Sequence, residues 1–448
     1  MPQPPTANQF ALLGKRRFLP LFLVQFLGAF NDQVYQKAFV ALLTYRLAND
    51  LDLPLEMLGV IASGLFILPF AIITPTAGQI ADRVDKTRMM RVVKFSEIVV
   101  MSLAVIGFYN QDVYFLYFVL FLMGAQSAMF APIKYSVLPQ WLRPDELIGG
   151  NGLVQAFTFL AIIFGSIAGN ELILTDEGVA IVSVFVVSVA VIGFVAALFA
   201  PPAPPFGPAE RVDPVFPRAI WRLIADTRRI RPAFRAIFAI SWFWFLGATF
   251  LSLLPAYARD ALGADESVLT VLLTGFSVGV ALGALASEKL NRGEIGVRVP
   301  PLGALGIAVM AVEIWLATQG APTPPEGALF DRAAFFSTVA GWRILIDFVL
   351  LAAFAGVYVT PLNAVLQRES PNGRRARVIA CSNVVDAAFM VLSAAAVAAC
   401  VALGLSAIDV LALFALSGAP MAVAVARYAP DTRLGRIALA AFPRGPAD

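Results

Sequence analysis

An acidic residue, a lysine and several amides lie inside long apolar stretches of this sequence. Asp32 is near the middle of the first stretch, directly after Asn31, and Lys134 lies about one helical turn from the end of the fourth. An ionisable residue in hydrocarbon costs about 3 kcal/mol, so each one needs a partner or a function. We interpret Asp32 as the best candidate for a ligand-binding residue. The alternative is a structural acid paired with a neighbouring helix.

Two further pairs of polar residues share helix faces. Asn151 and Gln155 are spaced i, i+4, and Asn383 and Asp386 are spaced i, i+3, so each pair projects from one side of its helix. Side chains grouped in this way are typical of a polar cavity. Hydrogen bonding between membrane helices would place them equally well.

Other intramembrane charges have potential partners on their own helix. Lys94 precedes Glu97 by three residues, and Arg343 precedes Asp347 by four. Both spacings permit an ion pair within one helix, and Glu313 is an additional partner for Arg343. We therefore interpret these charges as structural.

The composition identifies the class of protein. Of 448 residues, 59% are hydrophobic and only 14% are charged, against about 25% in soluble domains. Too few charges remain for a water-facing surface, so the chain is predicted to be a polytopic membrane protein. There is no histidine, and no phosphate-binding glycine loop or metal-ligand cluster occurs. We expect a protein that is not an enzyme, needs no cofactor or metal and binds no nucleic acid.

Twelve apolar stretches are long enough to cross a bilayer, which predicts an all-α membrane protein. Their approximate limits are 18–46, 55–81, 91–109, 113–138, 147–170, 179–200, 236–258, 267–289, 299–319, 338–367, 377–401 and 406–426. Basic residues concentrate before the first stretch, in most even-numbered connections and after the last. By the positive-inside rule, both termini are predicted to be cytoplasmic.

A Pro/Arg-rich segment, 201–235, separates six stretches from six. It predicts an N-terminal bundle over 1–200, a cytoplasmic linker, and a C-terminal bundle with its tail over 236–448. Two internal matches support a repeat: Ala131–Lys134 with Thr360–Asn363, and Asn151–Phe157 with Asn383–Phe389, at offsets of 229 and 232 residues. Parallel six-helix repeats are the plan of the major facilitator superfamily, with the binding cavity near the bilayer midplane.

The loop after the second stretch resembles the gating motif of that superfamily. It offers Gly78 for close helix approach, Asp82 as an acid at the helix end, and Arg83 and Arg88 among its cytoplasmic charges. The resemblance implies that Asp82 faces the amino end of the eleventh membrane helix and latches the cytoplasmic side. Asp85 stands where the superfamily usually has glycine, so the turn is expected to differ.

Several strings together resemble the lysophospholipid transporter (LplT) family, including transporter domains fused to 2-acylglycerophosphoethanolamine acyltransferases. They are Phe18–Asp32, Ala131–Leu138, Pro144–Leu153, Phe164–Gly169, Ser241–Gly247 and Pro361–Gln367. The resemblance implies a twelve-helix facilitator in the inner membrane of a Gram-negative bacterium, flipping lysophosphatidylethanolamine and related lysolipids for reacylation. It bears on the candidate residues Asp32, Lys134, Asn151, Asn363 and Asn383.

A lysophosphatidylethanolamine head carries a phosphate, which Lys134 could bind, and an ammonium, which Asp32 or Asp386 could bind. The chain departs from the family near Leu251, where some members have a basic residue, and at Asp386, where a glutamate is expected. Two questions stay open. A proton-coupled exporter of amphipathic drugs is the alternative function, and the arginine-rich linker would suit anionic lipid heads as well as an acyltransferase partner. We expect a monomer.

Overall fold

A computed structural model describes residues 8–47, 55–206, 212–213, 215–322, 324, 328–429 and 433–441. Parts of the predicted linker, 207–211 and 214, lie outside these residues. The helices are α1 Leu19–Leu42, α2 Leu55–Arg83, α3 Lys86–Asn110, α4 Val113–Trp141, α5 Leu147–Ile173, α6 Gly178–Leu198, α7 Phe216–Arg228, α8 Arg231–Ala256, α9 Glu266–Asn291, α10 Pro300–Gln319, α11 Arg332–Phe336, α12 Val339–Glu369, α13 Arg375–Ala402, α14 Ala407–Leu416, α15 Gly418–Ala426 and α16 Arg433–Ala441.

The prediction of an all-α protein with twelve membrane helices is confirmed. Within the described residues, eleven helical segments are long and apolar enough to cross a membrane, counting α14 and α15 as one. The twelfth is α1, whose 24 residues include Asn31, Asp32 and Lys37, which lower its hydropathy. Large apolar side chains such as Phe118, Val184 and Val391 are exposed, as expected where lipid rather than water covers the surface.

Aspartates begin several helices at the positions where polar caps are favoured. The carboxylates of Asp85, Asp112 and Asp265 accept backbone N–H groups in the first turns of α3, α4 and α9. Two helices end at residues in the left-handed conformation, Gln111 (φ 51°) and Arg292 (φ 55°). Capping therefore fixes the short connections between membrane helices.

The chain forms two compact units whose limits fall inside helices. Unit 1 comprises 1–146, 157–234 and 367–384, and unit 2 comprises 147–156, 235–366 and 385–448. Most of α1–α7 and the first turns of α13 thus belong to unit 1, while the first turns of α5 belong to unit 2. The division into bundles at the linker stays a prediction.

Small residues let the helices of each unit approach closely. In unit 1, a Cβ on Gly124 of α4 would lie 2.3 Å from the carbonyl oxygen of Phe66 on α2. In unit 2, a Cβ on Gly283 of α9 would lie 1.9 Å from the carbonyl oxygen of Ala353 on α12. Neither contact could accommodate a side chain. Backbone contact of this kind is characteristic of membrane helices.

Candidate substrate and gating sites

Asp32 lies on α1 and faces α4. Its Oδ2 accepts a 2.6 Å hydrogen bond from the Ser127 hydroxyl. Its Oδ1 is buried and has no hydrogen-bond partner among the described residues. The charges of Lys94, Glu97 and Lys134 all act on this carboxylate. Asp32 thus retains one acceptor oxygen that could bind a cationic group.

Lys134 lies seven residues after Ser127 on α4, so both project from the same side of the helix. Its ammonium lies 4.9 Å from the centre of the Tyr135 ring, and its charge interacts with that of Asp32. The side chain is half-buried. Within unit 1, the side of α4 that contacts Asp32 through Ser127 therefore also carries the ammonium of Lys134, two helical turns away.

Asn31 points away from this face into the packed part of unit 1. Its Nδ2 donates to Glu97 Oε1 at 3.1 Å and to the carbonyl oxygen of Val186 at 3.2 Å. The side chain is fully buried. In the structure Asn31 therefore bonds protein groups, and substrate binding by this residue stays a prediction without a contact to support it.

Lys94 and Glu97 form the buried ion pair that their spacing predicts, and this prediction is confirmed. The side chains are only 3% and 1% exposed. A Cβ on Gly28 would lie 3.0 Å from the Lys94 ammonium, and one on Gly193 would lie 3.0 Å from the Lys94 Cε. These two glycines provide the space in which the lysine is buried.

The predicted Arg343–Asp347 pair does not form in the described part of the chain. Arg343 instead donates to Glu313 on α10, at 2.9 Å and 2.5 Å. Oδ2 of Asp347 is buried without a hydrogen-bond partner. Arg343 therefore pairs with an acid on a neighbouring helix rather than with the acid four residues later on its own helix.

In unit 2, Asp386 is buried on α13 and accepts a 2.6 Å hydrogen bond from Ser241 on α8. Asn363 of α12 and Asn151 of α5 both donate to the carbonyl oxygen four residues before them. Gln155, on the same face as Asn151, is also buried. Asn383 is half-buried in unit 1, and its Nδ2 has no hydrogen-bond partner among the described residues. Roles for these residues in substrate binding stay predictions.

The candidate gate lies where α2 ends. Asp82 accepts the backbone N–H of Ala376 at 2.9 Å with Oδ1 and that of Arg377 at 3.0 Å with Oδ2. These are N–H groups of the first turn of α13, which have no partner within the helix. The carboxylate therefore caps α13 from another helix and lies against the positive end of its dipole.

Gly78 allows this contact because it lies one turn before Asp82 on the same face of α2. A Cβ at Gly78 would lie 2.5 Å from the Ala380 Cβ and 2.9 Å from the Ala376 carbonyl oxygen. The side chains of Arg83 and Arg88 are exposed. Asp85 has extended backbone, caps α3 through Arg88 N–H and accepts the N–H of Ala203 at 3.0 Å. Asp85, which stands where the superfamily usually has glycine, thus holds the start of the linker.

Asp82→Asn is expected to release the start of α13 because the amide has one acceptor oxygen and no charge. A charge at a helix N-terminus contributes up to about 2 kcal/mol, so we expect maleimide to label the buried Cys381 roughly tenfold faster. The measurement uses a Cys400→Ser background. Arg83→Gln, which removes a neighbouring exposed charge, is the matched control. Equal rates in both variants would show that general loop charge, rather than Asp82, holds α13.

Sequence reasoning missed two polar anchors at this end of unit 1. Glu146, buried at the start of α5, accepts from Lys15 at 2.8 Å and Arg17 at 2.6 Å and so secures the segment before α1. Asp213, in the linker, donates its N–H to Gln79 Oε1 at 2.7 Å and accepts from Arg218 and Arg222. The hydrogen bond from Arg218 lowers the pKa of the Asp213 carboxyl. The ion pairs of Asp213 with Arg218 and Arg222 are therefore lost only at acidic pH.

The linker also contains a helix that its Pro/Arg-rich composition did not predict. α7 buries Ala219, Leu223 and Thr227, spaced by four, and packs against α2. Its opposite side carries exposed arginines and Trp221. In the sequence, only the four-residue spacing of these three residues indicates the helix. That pattern is weak because two of the three, an alanine and a threonine, are not large apolar residues.

Comparison with known proteins agrees with this architecture. The sequence profile of the Major Facilitator Superfamily matches residues 21–394. The chain is 30% identical over 427 residues to the Lysophospholipid transporter LplT of Klebsiella pneumoniae (strain 342), covering 92% of this chain and 95% of the relative. It is 28% identical over 392 residues to the LplT of Serratia proteamaculans (strain 568), covering 87% and 89%.

Solved structures give the same fold at low sequence identity. A bacterial homologue of the iron transporter ferroportin, in an outward-facing state, aligns with a TM-score of 0.67 at 14% identity, covering 90% of this chain and 98% of that one. The E. coli fucose:proton symporter FucP aligns with a TM-score of 0.66 at 13% identity, covering 92% and 98%. These likenesses concern the fold alone.

This chain has twelve membrane helices, buried intramembrane charges and a cap on α13 from another helix. This is the architecture of the major facilitator transporters. Because the superfamily profile matches most of its length and the two LplT relatives are 28% and 30% identical to it, the chain belongs to the Major Facilitator Superfamily and, within it, to the LplT family.

Proposed function

We propose that this protein transports lysophospholipids, lysophosphatidylethanolamine among them, across the inner membrane of a bacterium. The observation that carries the proposal is the similarity over nearly the whole chain to relatives named as lysophospholipid transporters. The polar groups of unit 1 suit such a substrate. A lysophospholipid has a charged head and one acyl chain, and α1 and α4 supply an acid and a lysine inside apolar helices.

The proposed mechanism is alternating access. The head crosses among intramembrane polar residues, where Lys134 binds the phosphate and Asp32 or Asp386 binds the ammonium, while the acyl chain stays in contact with hydrocarbon. The contact between Asp82 and the start of α13 closes the cytoplasmic side and is released in each cycle. Transport is directed inward, and both termini are cytoplasmic. The protein acts as a monomer. It supplies lysolipid to a separate acyltransferase for reacylation.

The test is translocation of fluorescent lysophosphatidylethanolamine in proteoliposomes. Wild-type protein is expected to accelerate translocation over empty liposomes, with or without a pH gradient. Lys134→Gln should lower the rate about tenfold, since a hydrogen bond to a charged group contributes about 1.5–3 kcal/mol. Lys134→Arg, which retains the charge, is the matched control.

Two outcomes would contradict the proposal. Folded wild-type protein that fails to move lysolipid would rule out the substrate class. If amphipathic cations moved only with an imposed pH gradient, the protein would be a proton-coupled exporter. Unchanged transport in Lys134→Gln would remove only the phosphate-binding role of Lys134.

A further inference from the structure

A cavity of about 230 Å³ lies in unit 1 beside the contact between Asp82 and α13. Its walls come from the end of α2, from the linker helix α7 with Asp213 before it and Ile230 after it, and from Arg374 with the first turn of α13. Arg222, Arg374 and Arg377 are among the residues that line it. Since Arg222, Arg374 and Asp226 are exposed, the cavity opens to the surface. It has room for a headgroup rather than a single water.

The charge around the cavity favours an anion. Two carboxylates, Asp213 and Asp226, also line it. Asp213 already accepts hydrogen bonds from Arg218 at 2.7 Å and Arg222 at 2.9 Å. Three arginines and two aspartates therefore line the cavity, and Arg218, outside the lining, pairs with one of the aspartates. The planar guanidinium forks of the arginines suit phosphate oxygens.

The location of the cavity favours a lipid as the source of that anion. Gln79 lines the cavity one turn before α2 ends at Arg83, and α2 is long and apolar enough to cross a membrane. A position at the end of such a helix favours the level of the lipid headgroups. Trp221 is 73% exposed and Phe216 is 41% exposed on α7. An amphipathic helix with exposed arginines and aromatic residues is typical of the membrane interface.

We propose that this cavity binds the phosphate of an anionic phospholipid of the cytoplasmic leaflet, through Arg222, Arg374 and Arg377. The bound lipid joins α7 to the start of α13. Because the backbone N–H of Arg377 is also held by Asp82, the lipid reinforces the closed contact. The site is separate from the intramembrane residues assigned to the transported lysolipid, so it stands or falls independently of that substrate.

Native mass spectrometry of the full-length protein in detergent tests the site, with equimolar phosphatidylglycerol and phosphatidylcholine. Wild-type protein should retain phosphatidylglycerol in preference. Arg374→Gln should reduce its occupancy about fivefold, as expected for one arginine near an anionic lipid. Arg229→Gln is the matched control: it removes an exposed arginine next to α7 that does not line the cavity, and should change occupancy less than about twofold.

A second readout shows whether the lipid acts on α13. Phosphatidylglycerol should slow maleimide labelling of Cys381 in the Cys400→Ser background, and this slowing should disappear when Arg374→Gln is added. This readout does not depend on any transported substrate.

Three results would overturn the proposal. Equal losses in Arg374→Gln and Arg229→Gln would show diffuse attraction to the whole linker. Equal retention of phosphatidylcholine would exclude selection of an anionic head. Displacement of phosphatidylglycerol by millimolar inorganic phosphate would identify a soluble anion as the ligand. A melting profile that matches wild type would confirm that Arg374→Gln is folded.

Discussion

Asp32→Asn is expected to lower lysophosphatidylethanolamine transport at least about tenfold, because the amide cannot neutralise an ammonium. Asp32 has one oxygen bonded to Ser127 and a second, buried oxygen without a partner. Asparagine is nearly the same size and can still accept from Ser127. The loss would therefore be one of charge rather than of packing, and rates in proteoliposomes measure it.

Substrates that differ in the head separate this role from a general one. Lysophosphatidylglycerol has the phosphate but no ammonium, so Asp32→Asn should affect its transport much less. Asp386→Asn is the matched comparison, since Asp386 also accepts a 2.6 Å hydrogen bond from a serine. If Asp386→Asn shows the selective loss and Asp32→Asn does not, Asp386 binds the ammonium. Equal losses for both lipids in both variants would argue against ammonium binding by either aspartate.

Lys94→Met is expected to destabilise the protein by about 3–5 kcal/mol, because it leaves Glu97 buried without its cation. Both side chains of this pair are almost fully buried. Unfolding in sodium dodecyl sulfate measures the change. Adding Glu97→Gln should restore most of the stability, since glutamine removes the charge and can still accept from Asn31.

An exposed pair provides the control. Arg298 and Glu294 lie between α9 and α10, outside the membrane helices, and their side chains are 58% and 57% exposed, so Arg298→Met should cost less than about 1 kcal/mol. If Lys94→Met and Arg298→Met had the same small effect, the Lys94–Glu97 pair would contribute no more to stability than a surface pair. Failure of the Glu97→Gln addition to restore stability would show that Lys94 acts through packing against Gly28 and Gly193.

The sequence by itself determined the number of membrane helices and the class of the protein. Hydropathy over some twenty residues is a local property, and the bilayer imposes it whatever the tertiary contacts. The i, i+3 spacing of Lys94 and Glu97 also predicted their ion pair, because one helix places both groups on the same face. The resemblance of the Gly78–Arg88 loop to a known motif pointed to Asp82 and the eleventh membrane helix, although composition alone would not have done so.

Tertiary structure decided which partner each polar group has. Arg343 contacts Glu313 on another helix rather than Asp347 on its own, and Asn31 turns towards Glu97 while Asp32 turns towards Ser127. The sequence also does not predict that Gln79, Asp213 and the start of α13 meet around one cavity. These contacts join residues far apart in the chain, and helix packing fixes their distances. Periodicity gives the face from which a side chain projects, but only packing determines what that face meets.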